Sequence, residues 1–189
     1  MHKQKLALEL YDDGKALLEK YNKEKNKSDA EAAIQKFSEA ITCLQSAPAN
    51  DKGSTHAKYH ADRGNAFMAI GHYQKAMYDF GTAIRFDDKN PQYYANRGNC
   101  MMMLNQINDA LAEFEKAISL KPNDGFYYFN RGLVHARLMN FTHAIQDFTE
   151  GLKYIKTGET NFKALFHRGN CYRQIKEYAK SIADLTKAC

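Results

Sequence analysis

The chain has 189 residues, with 27 Lys and Arg against 22 Asp and Glu, and only 3 Pro and 11 Gly. So few Pro and Gly exclude a collagenous, linker-rich or turn-dense all-β chain, while 44% hydrophobic and 26% charged residues is ordinary globular composition. Apolar runs are no longer than the likes of Ala66 to Ile70, far below the roughly 18 residues a membrane helix needs, and the +5 charge is interleaved rather than blocked.

In chain order, the first stretch, Met1 to Asp13, is interrupted by Glu9, Asp12 and Asp13 and has neither the apolar core nor the cleavage site of a signal peptide, so a cytoplasmic location is expected. Leu10, Gly14 and Leu17, then Ala30, Ala33, Phe37 and Ala40, space apolar and small residues as two helices do. A polar run, Asn22 to Ser28, divides them and reads as a solvated insertion that lengthens the helices or the turn. A second polar stretch, Pro48 to Ser54, precedes a pattern that then repeats.

The repeat is marked by Arg63-Gly64, Arg97-Gly98, Arg131-Gly132 and Arg168-Gly169, whose glycines are 34, 34 and 37 residues apart. Twelve residues after each glycine stands a small residue, Ala76, Ala110, Ala144 or Ser181. Four further on comes Phe80, Phe114, Phe148 or Leu185, and three beyond that Ala83, Ala117, Gly151 or Ala188. Spacings of three and four between these markers predict two short amphipathic helices per unit, with turns at Gly71-His72, Asn105-Gln106, Met139-Asn140 and Lys176-Glu177. Pro91 and Pro122 punctuate the junctions between units. A glycine inside a helix costs about 1 kcal/mol relative to Ala. The offset expected for it is close helix approach, with each glycine facing an alanine of the next helix.

A helix-turn-helix of 34 residues with small residues at these offsets makes residues 55 to 189 resemble the tetratricopeptide repeat family, although His60, Tyr94, Tyr128 and Leu165 stand where that family often has Trp. The resemblance implies an all-α fold, a right-handed superhelix (α-solenoid) of five antiparallel helix pairs. One degenerate unit spans residues 1–50, and four regular ones cover about 57–90, 91–124, 125–161 and 162–189 in one continuous domain. The last is incomplete, which reads as a fragment of a longer array or as an open end that self-associates through Ile182 and Leu185.

Sixteen residues after each repeated arginine stands an acid, giving the expected structural pairs Arg63 with Asp79, Arg97 with Glu113, Arg131 with Asp147 and Arg168 with Asp184. In the first unit the signs exchange, as Asp13 and Lys36. Another stripe of each first helix is left for the concave groove that the family uses for binding. It carries the asparagines Asn65, Asn96, Asn99, Asn130 and Asn170, whose amides each supply donor and acceptor and so suit a peptide backbone. The alternative is that they cap or hydrate exposed helix faces. Beside them stand Met102, Met103, Phe126 and Phe129, apolar residues that serve either the core or a hydrophobic segment, and a basic end of Arg137, Lys163, His167 and Arg173.

Members of the family that bind chaperone tails clamp a terminal carboxylate with a fixed set of side chains. Asn99, Asn130 and Lys163 match that set, but Ala95 and His167 stand where Lys and Arg are required. Binding to Hsp70 or Hsp90 C-termini is therefore disfavoured, while an acidic peptide remains open. The four cysteines form no CxxC pair and no HExxH, G-x-S-x-G or P-loop occurs, so no metal, cofactor or catalytic residue is expected. The reading is a noncatalytic protein-interaction scaffold; self-assembly and single-stranded RNA binding are the alternatives, nucleic acid being the weaker because the arginines are expected to be paired.

Overall fold

A computed structural model describes residues 2–45 and 53–188; Met1, residues 46–52, which hold most of the polar stretch from Pro48, and Cys189 lie outside the described residues. Ten helices, and no strand among the described residues, follow in order: α1 (His2–Glu24), α2 (Lys27–Gln45), α3 (Ser54–Ala69), α4 (Tyr73–Phe86), α5 (Pro91–Met103), α6 (Ile107–Leu120), α7 (Gly125–Arg137), α8 (Phe141–Tyr154), α9 (Glu159–Gln174) and α10 (Tyr178–Lys187). They fall into two compact units, unit 1 over Met1–Leu104 and unit 2 over Asn105–Cys189. In unit 1, α1 packs on α2, α2 on α3, α3 on α4 and α4 on α5. Unit 2 repeats this order from α6 through α10.

The helix pairs are held apart by short turns that share one backbone device. Lys25, Gly71, Asn105, Met139 and Lys176 each stand at positive φ, between 57° and 79°. At such a position the reversed backbone returns its amides to the last carbonyls of the helix: Gly71 N–H reaches Met68 O at 3.1 Å and His72 N–H reaches Phe67 O at 2.9 Å. The same pair of bonds recurs at Met139 and Asn140 and at Lys176 and Glu177. Two junctions between pairs are capped by side chains, Asn90 accepting from the Gln92 amide with Pro91 in the first turn, and Asp124 accepting from the Phe126 amide.

The seven extra residues of the first unit lengthen both helices and leave a two-residue turn, so α1 and α2 run to 23 and 19 residues. The extension is anchored, because the Tyr21 hydroxyl donates to the Ala69 carbonyl at the end of α3, 2.7 Å away. The 37-residue spacing before Gly169 likewise becomes an added turn at the start of α9, which has 16 residues against 13 in α7.

Gly14, Gly64 and Gly132 meet rings and Gly169 a leucine, rather than alanines, which corrects the expectation above. A Cβ on Gly14 would lie 2.8 Å from the Phe37 ring, on Gly132 2.8 Å from Phe148, on Gly64 3.1 Å from Phe80, and on Gly169 2.9 Å from Leu185. Phe37, Phe80, Phe114 and Phe148 are fully buried, and three of them fill the notch that a missing side chain leaves on the first helix. Filling the ring's space is what offsets the helix cost of glycine; the alanines and Ser181 instead let the second helix approach its neighbours.

Candidate functional site

In three helix pairs the repeated arginine clasps its acid. Arg63 Nε and Nη2 donate to the two Asp79 oxygens at 2.8 and 2.7 Å, Arg131 to Asp147 at 2.9 and 2.7 Å, and Arg168 to Asp184 at 2.6 and 2.8 Å. These bidentate pairs are partly buried, and such pairs fix geometry more than they add stability. Asp79 is only 1% exposed, and His60 Nδ1 lies 3.1 Å from its Oδ1. Burial pushes its carboxyl up, but the hydrogen bonds from Arg63 and His60 outweigh burial and hold it below the usual carboxylate range. The reversed pair, Asp13 with Lys36, is exposed at 3.4 Å. Arg97 and Glu113 belong to different units, in α5 and α6.

The remaining arginine nitrogen reaches back to the preceding pair. Arg63 Nη1 donates to the Ser38 hydroxyl at 3.1 Å and Arg168 Nη1 to Thr149 at 3.0 Å. Both hydroxyls directly follow the buried Phe of their helix. At the same register α4 has Gly81, which offers no such group. With their guanidinium groups committed to the scaffold, these arginines hold the first helices so that a separate stripe faces away from the core.

On unit 1 that stripe is a chain of hydrogen bonds across α1, α3 and α5. Tyr11 donates its hydroxyl to Asp62 Oδ2; Asn65 Nδ2 donates to Asp62 Oδ1 at 3.4 Å; Asn96 Nδ2 donates to Asn65 Oδ1 at 2.9 Å; and Gln92 Nε2 donates to Asn96 Oδ1 at 2.8 Å. Tyr11 stacks on Tyr59 with ring centroids 4.1 Å apart, and the ammonium groups of Lys58 and Lys15 lie 5.4 and 5.9 Å from its ring. Burial and the Asp62 bond push the Tyr11 hydroxyl far above its ordinary range, so it stays a donor. Asn96 is 9% exposed; Asn99 and Met102 are half-buried, and Met103 is exposed.

On unit 2 the stripe is aromatic and basic. Phe129 is buried, packed on Phe148 with centroids 5.9 Å apart, and belongs to the core rather than to an exposed apolar face. His167 fits between Phe148, Phe129 and Phe166, and burial, then Lys163, pull its pKa down. Phe126 and Phe166 stay about half exposed, Asn130 and Asn170 are half-buried, and Arg137, Lys163 and Arg173 are exposed, with Lys163 2.7 Å from Glu159. Sequence reasoning missed Tyr11, which stands three residues before Gly14 as Ala61 stands before Gly64; counting back from that glycine would have found it. Ala95, the position where a clamp lysine would stand, is buried.

Three described cysteines, Cys43, Cys100 and Cys171, are free thiols. Burial pushes Cys100 up to about 12 and Cys171 up to about 11, so neither is a thiolate at neutral pH. Among the described residues no helix is long and apolar enough to cross a membrane, and no group of three or more His, Cys, Asp or Glu side chains is placed to hold a metal ion.

Two tetratricopeptide repeat family models match, over residues 91–124, spanning α5 and α6, and over 162–189, spanning most of α9 and all of α10. No curated protein sequence matches the chain. Among solved structures, the chain is similar to the MamA protein, 17% identical with TM-score 0.77 over 100% of this chain and 91% of that one. It is similar to PilF of Pseudomonas aeruginosa, 16% identical with TM-score 0.75 over 97% and 75% of the two chains. A third similar structure is the first repeat domain of Spaghetti (RPAP3) bound to the HSP90 peptide SRMEEVD, 20% identical with TM-score 0.62 over 66% and 98%. At these identities the likeness is one of fold, an α-solenoid of helix pairs. Residues 91–124 and 162–189 thus match tetratricopeptide repeats, and the arginine-glycine register carries the same pattern into the helix pairs around Gly64 and Gly132.

Proposed function

We propose that the chain is a noncatalytic scaffold that binds an extended segment of a partner protein along its first-helix face. The observation that carries this reading is the side-chain chain of Tyr11, Asp62, Asn65, Asn96 and Gln92, which joins three helices and in which, among the described residues, one amide hydrogen each of Asn65 and Asn96 has no bond. An amide with one hydrogen held by a neighbour is fixed in orientation, and its other hydrogen can meet a peptide carbonyl at little ordering cost. In unit 2, Asn130 and Asn170 stand beside exposed Phe126 and Phe166, with Lys163 and Arg173 supplying positive charge for acidic residues. Of the similar structures, the Spaghetti domain holds a peptide whose sequence includes two glutamates and an aspartate.

The test is a pull-down with wild type and with the Asn96→Ala/Asn130→Ala variant. Loss of captured proteins by the variant supports the first-helix face; an identical set moves binding elsewhere. The clasp is assigned by the same spacing to Arg97 and Glu113, and a double-mutant cycle that finds no coupling between them removes that assignment. A second reading, self-association, is favoured by α10, where Tyr178 and Ile182 stand 58% and 65% exposed. Light scattering over a concentration series, repeated with Ile182→Glu, separates the two: a chain that stays monomeric at all concentrations discards self-association.

A further inference from the structure

The side of α4 turned away from the core ring of Phe80 carries features that the first-helix face does not use. Tyr78 is the most exposed aromatic residue recorded in unit 1, at 67%, in a helix where Phe80 is fully buried and Phe86 is 40% exposed. It stands where three clefts meet. One, of about 420 Å³, is bounded by Arg63, Phe67, Lys75 and Asp79; another, of about 380 Å³, by His56, His60, Thr82 and Phe86; the third, of about 340 Å³, by Gly81, Thr82, Arg85 and Arg97.

Gly81 is the informative residue of this face. It lies inside α4, where glycine costs about 1 kcal/mol relative to Ala. For Gly14, Gly64, Gly132 and Gly169 a core side chain fills the notch, but a Cβ on Gly81 would meet only Arg97 Nη1, at an ordinary 3.5 Å. Packing within the unit does not require this glycine. What its missing side chain does is open a saddle between Tyr78 and Arg85, one helical turn apart on either side.

The charge of the face is one-sided. Lys75 and Arg85 stand exposed on the clefts, Arg63 is held by Asp79, and among the described residues that line them Asp79 is the only carboxylate, buried and bonded to Arg63 and His60. Lys75 and Arg63 lie 5.5 and 5.9 Å over the Phe67 ring. The exposed Arg85 bonds a hydroxyl, Thr82 Oγ1 at 3.0 Å, and its planar fork is shaped for a carboxylate. An aromatic anchor, an apolar saddle and a rim of cations are the elements of a small docking site.

We propose that this outer face of α4 is a second docking surface, and that its occupant is an acidic segment of a partner protein. One carboxylate of the segment meets Arg85, and one apolar side chain rests over Gly81 against Tyr78. The surface is separate from the first-helix face and stands or falls independently of binding there.

The probes are acetylated, amidated peptides with glutamates flanking a central Leu or Phe, and the same peptides with glutamine in place of glutamate. Binding to the full chain is read by fluorescence anisotropy and by amide shifts. The acidic peptides are expected to bind at least about tenfold more tightly than their glutamine forms, with shifts centred on residues 75–86. Arg85→Glu and Gly81→Met should each weaken binding by about tenfold or more, while Lys153→Ala, an exposed cation of α8, leaves it unchanged. If Gly81→Met lowers helicity, Tyr78→Ser at the same exposed face carries the test. Equal affinity for both peptide forms, shifts on α1, α3 and α5 instead, indifference to these substitutions, or no binding by any probe overturns the proposal.

Discussion

The first-helix faces of the two units share a register and differ in chemistry. In unit 1 the polar side chains are tied to one another, Asp62 to Tyr11 and Asn65, and Asn96 to Asn65 and Gln92. In unit 2 no side-chain hydrogen bond is found for Asn130 or Asn170 among the described residues, and half-exposed phenylalanines stand beside exposed cations. The clasp beneath is common to both, so a repeat can hold its helices in one geometry while the stripe above it varies. The lesson is that equivalent asparagines are not equivalent groups: one pair is partly structural, the other is available.

The largest effects should come from the clasps. Asp79→Ala removes the common partner of Arg63 and His60 from a buried site and should destabilise by about 3–5 kcal/mol in urea unfolding. Asp147→Ala, where His135 Nε2 is 3.9 Å away and only Arg131 bonds closely, should cost less, about 2–3 kcal/mol. Equal losses would break the contrast between the units.

The glycines come next. Gly132→Ala drives a Cβ into the Phe148 ring and should destabilise by about 1–3 kcal/mol. Gly81→Ala, whose Cβ would meet only Arg97 Nη1 at an ordinary contact distance, should stabilise by about 0.5–1 kcal/mol. A loss of stability in Gly81→Ala would mean that unit 1 packs against that position after all. Smaller still, Asn65→Ala removes the acceptor of Asn96 and should cost about 1 kcal/mol, whereas Asn130→Ala should leave thermal stability unchanged.

Acidification separates the units by pH window. In unit 2, burial lowers the pKa of both His135 and His167 from 6.5, and His135 Nδ1 is buried without a hydrogen bond among the described residues. A group lowered on folding binds its proton better when unfolded, so its contribution is complete above pH 6.5 and is lost as pH falls through the folded value. In unit 1 the lowered Asp79 loses its contribution only below 3.8. Amide exchange should therefore quicken in unit 2 first as pH falls from 6.5, and a His135→Gln/His167→Gln variant should remove that difference.

Much of this was legible in the residues. The glycine spacing and the sixteen-residue arginine-to-acid offset follow from a helix pair of set length, and they mark turns and clasps at Arg63, Arg131 and Arg168 because those contacts are local in sequence. The glycine partner was misread as alanine, since apolar periodicity places a residue on a face but not which neighbour's ring enters a notch. Phe129 and Phe126 show the same limit: both lie on one first helix at groove spacing, yet one is buried against Phe148 and the other is about half exposed.

By itself the sequence determined the helix pairs, their turns and the positions of the clasp, because each depends on periodicity and short-range offsets that a repeat writes out several times. Only the tertiary structure decided what the asparagines bond, that Tyr11 reaches Asp62 across 51 residues, and that Gly81 meets only the tip of Arg97 while Gly64 faces Phe80. Those outcomes depend on how one helix pair is set against the next, and that setting comes from packed side chains rather than from the repeat period.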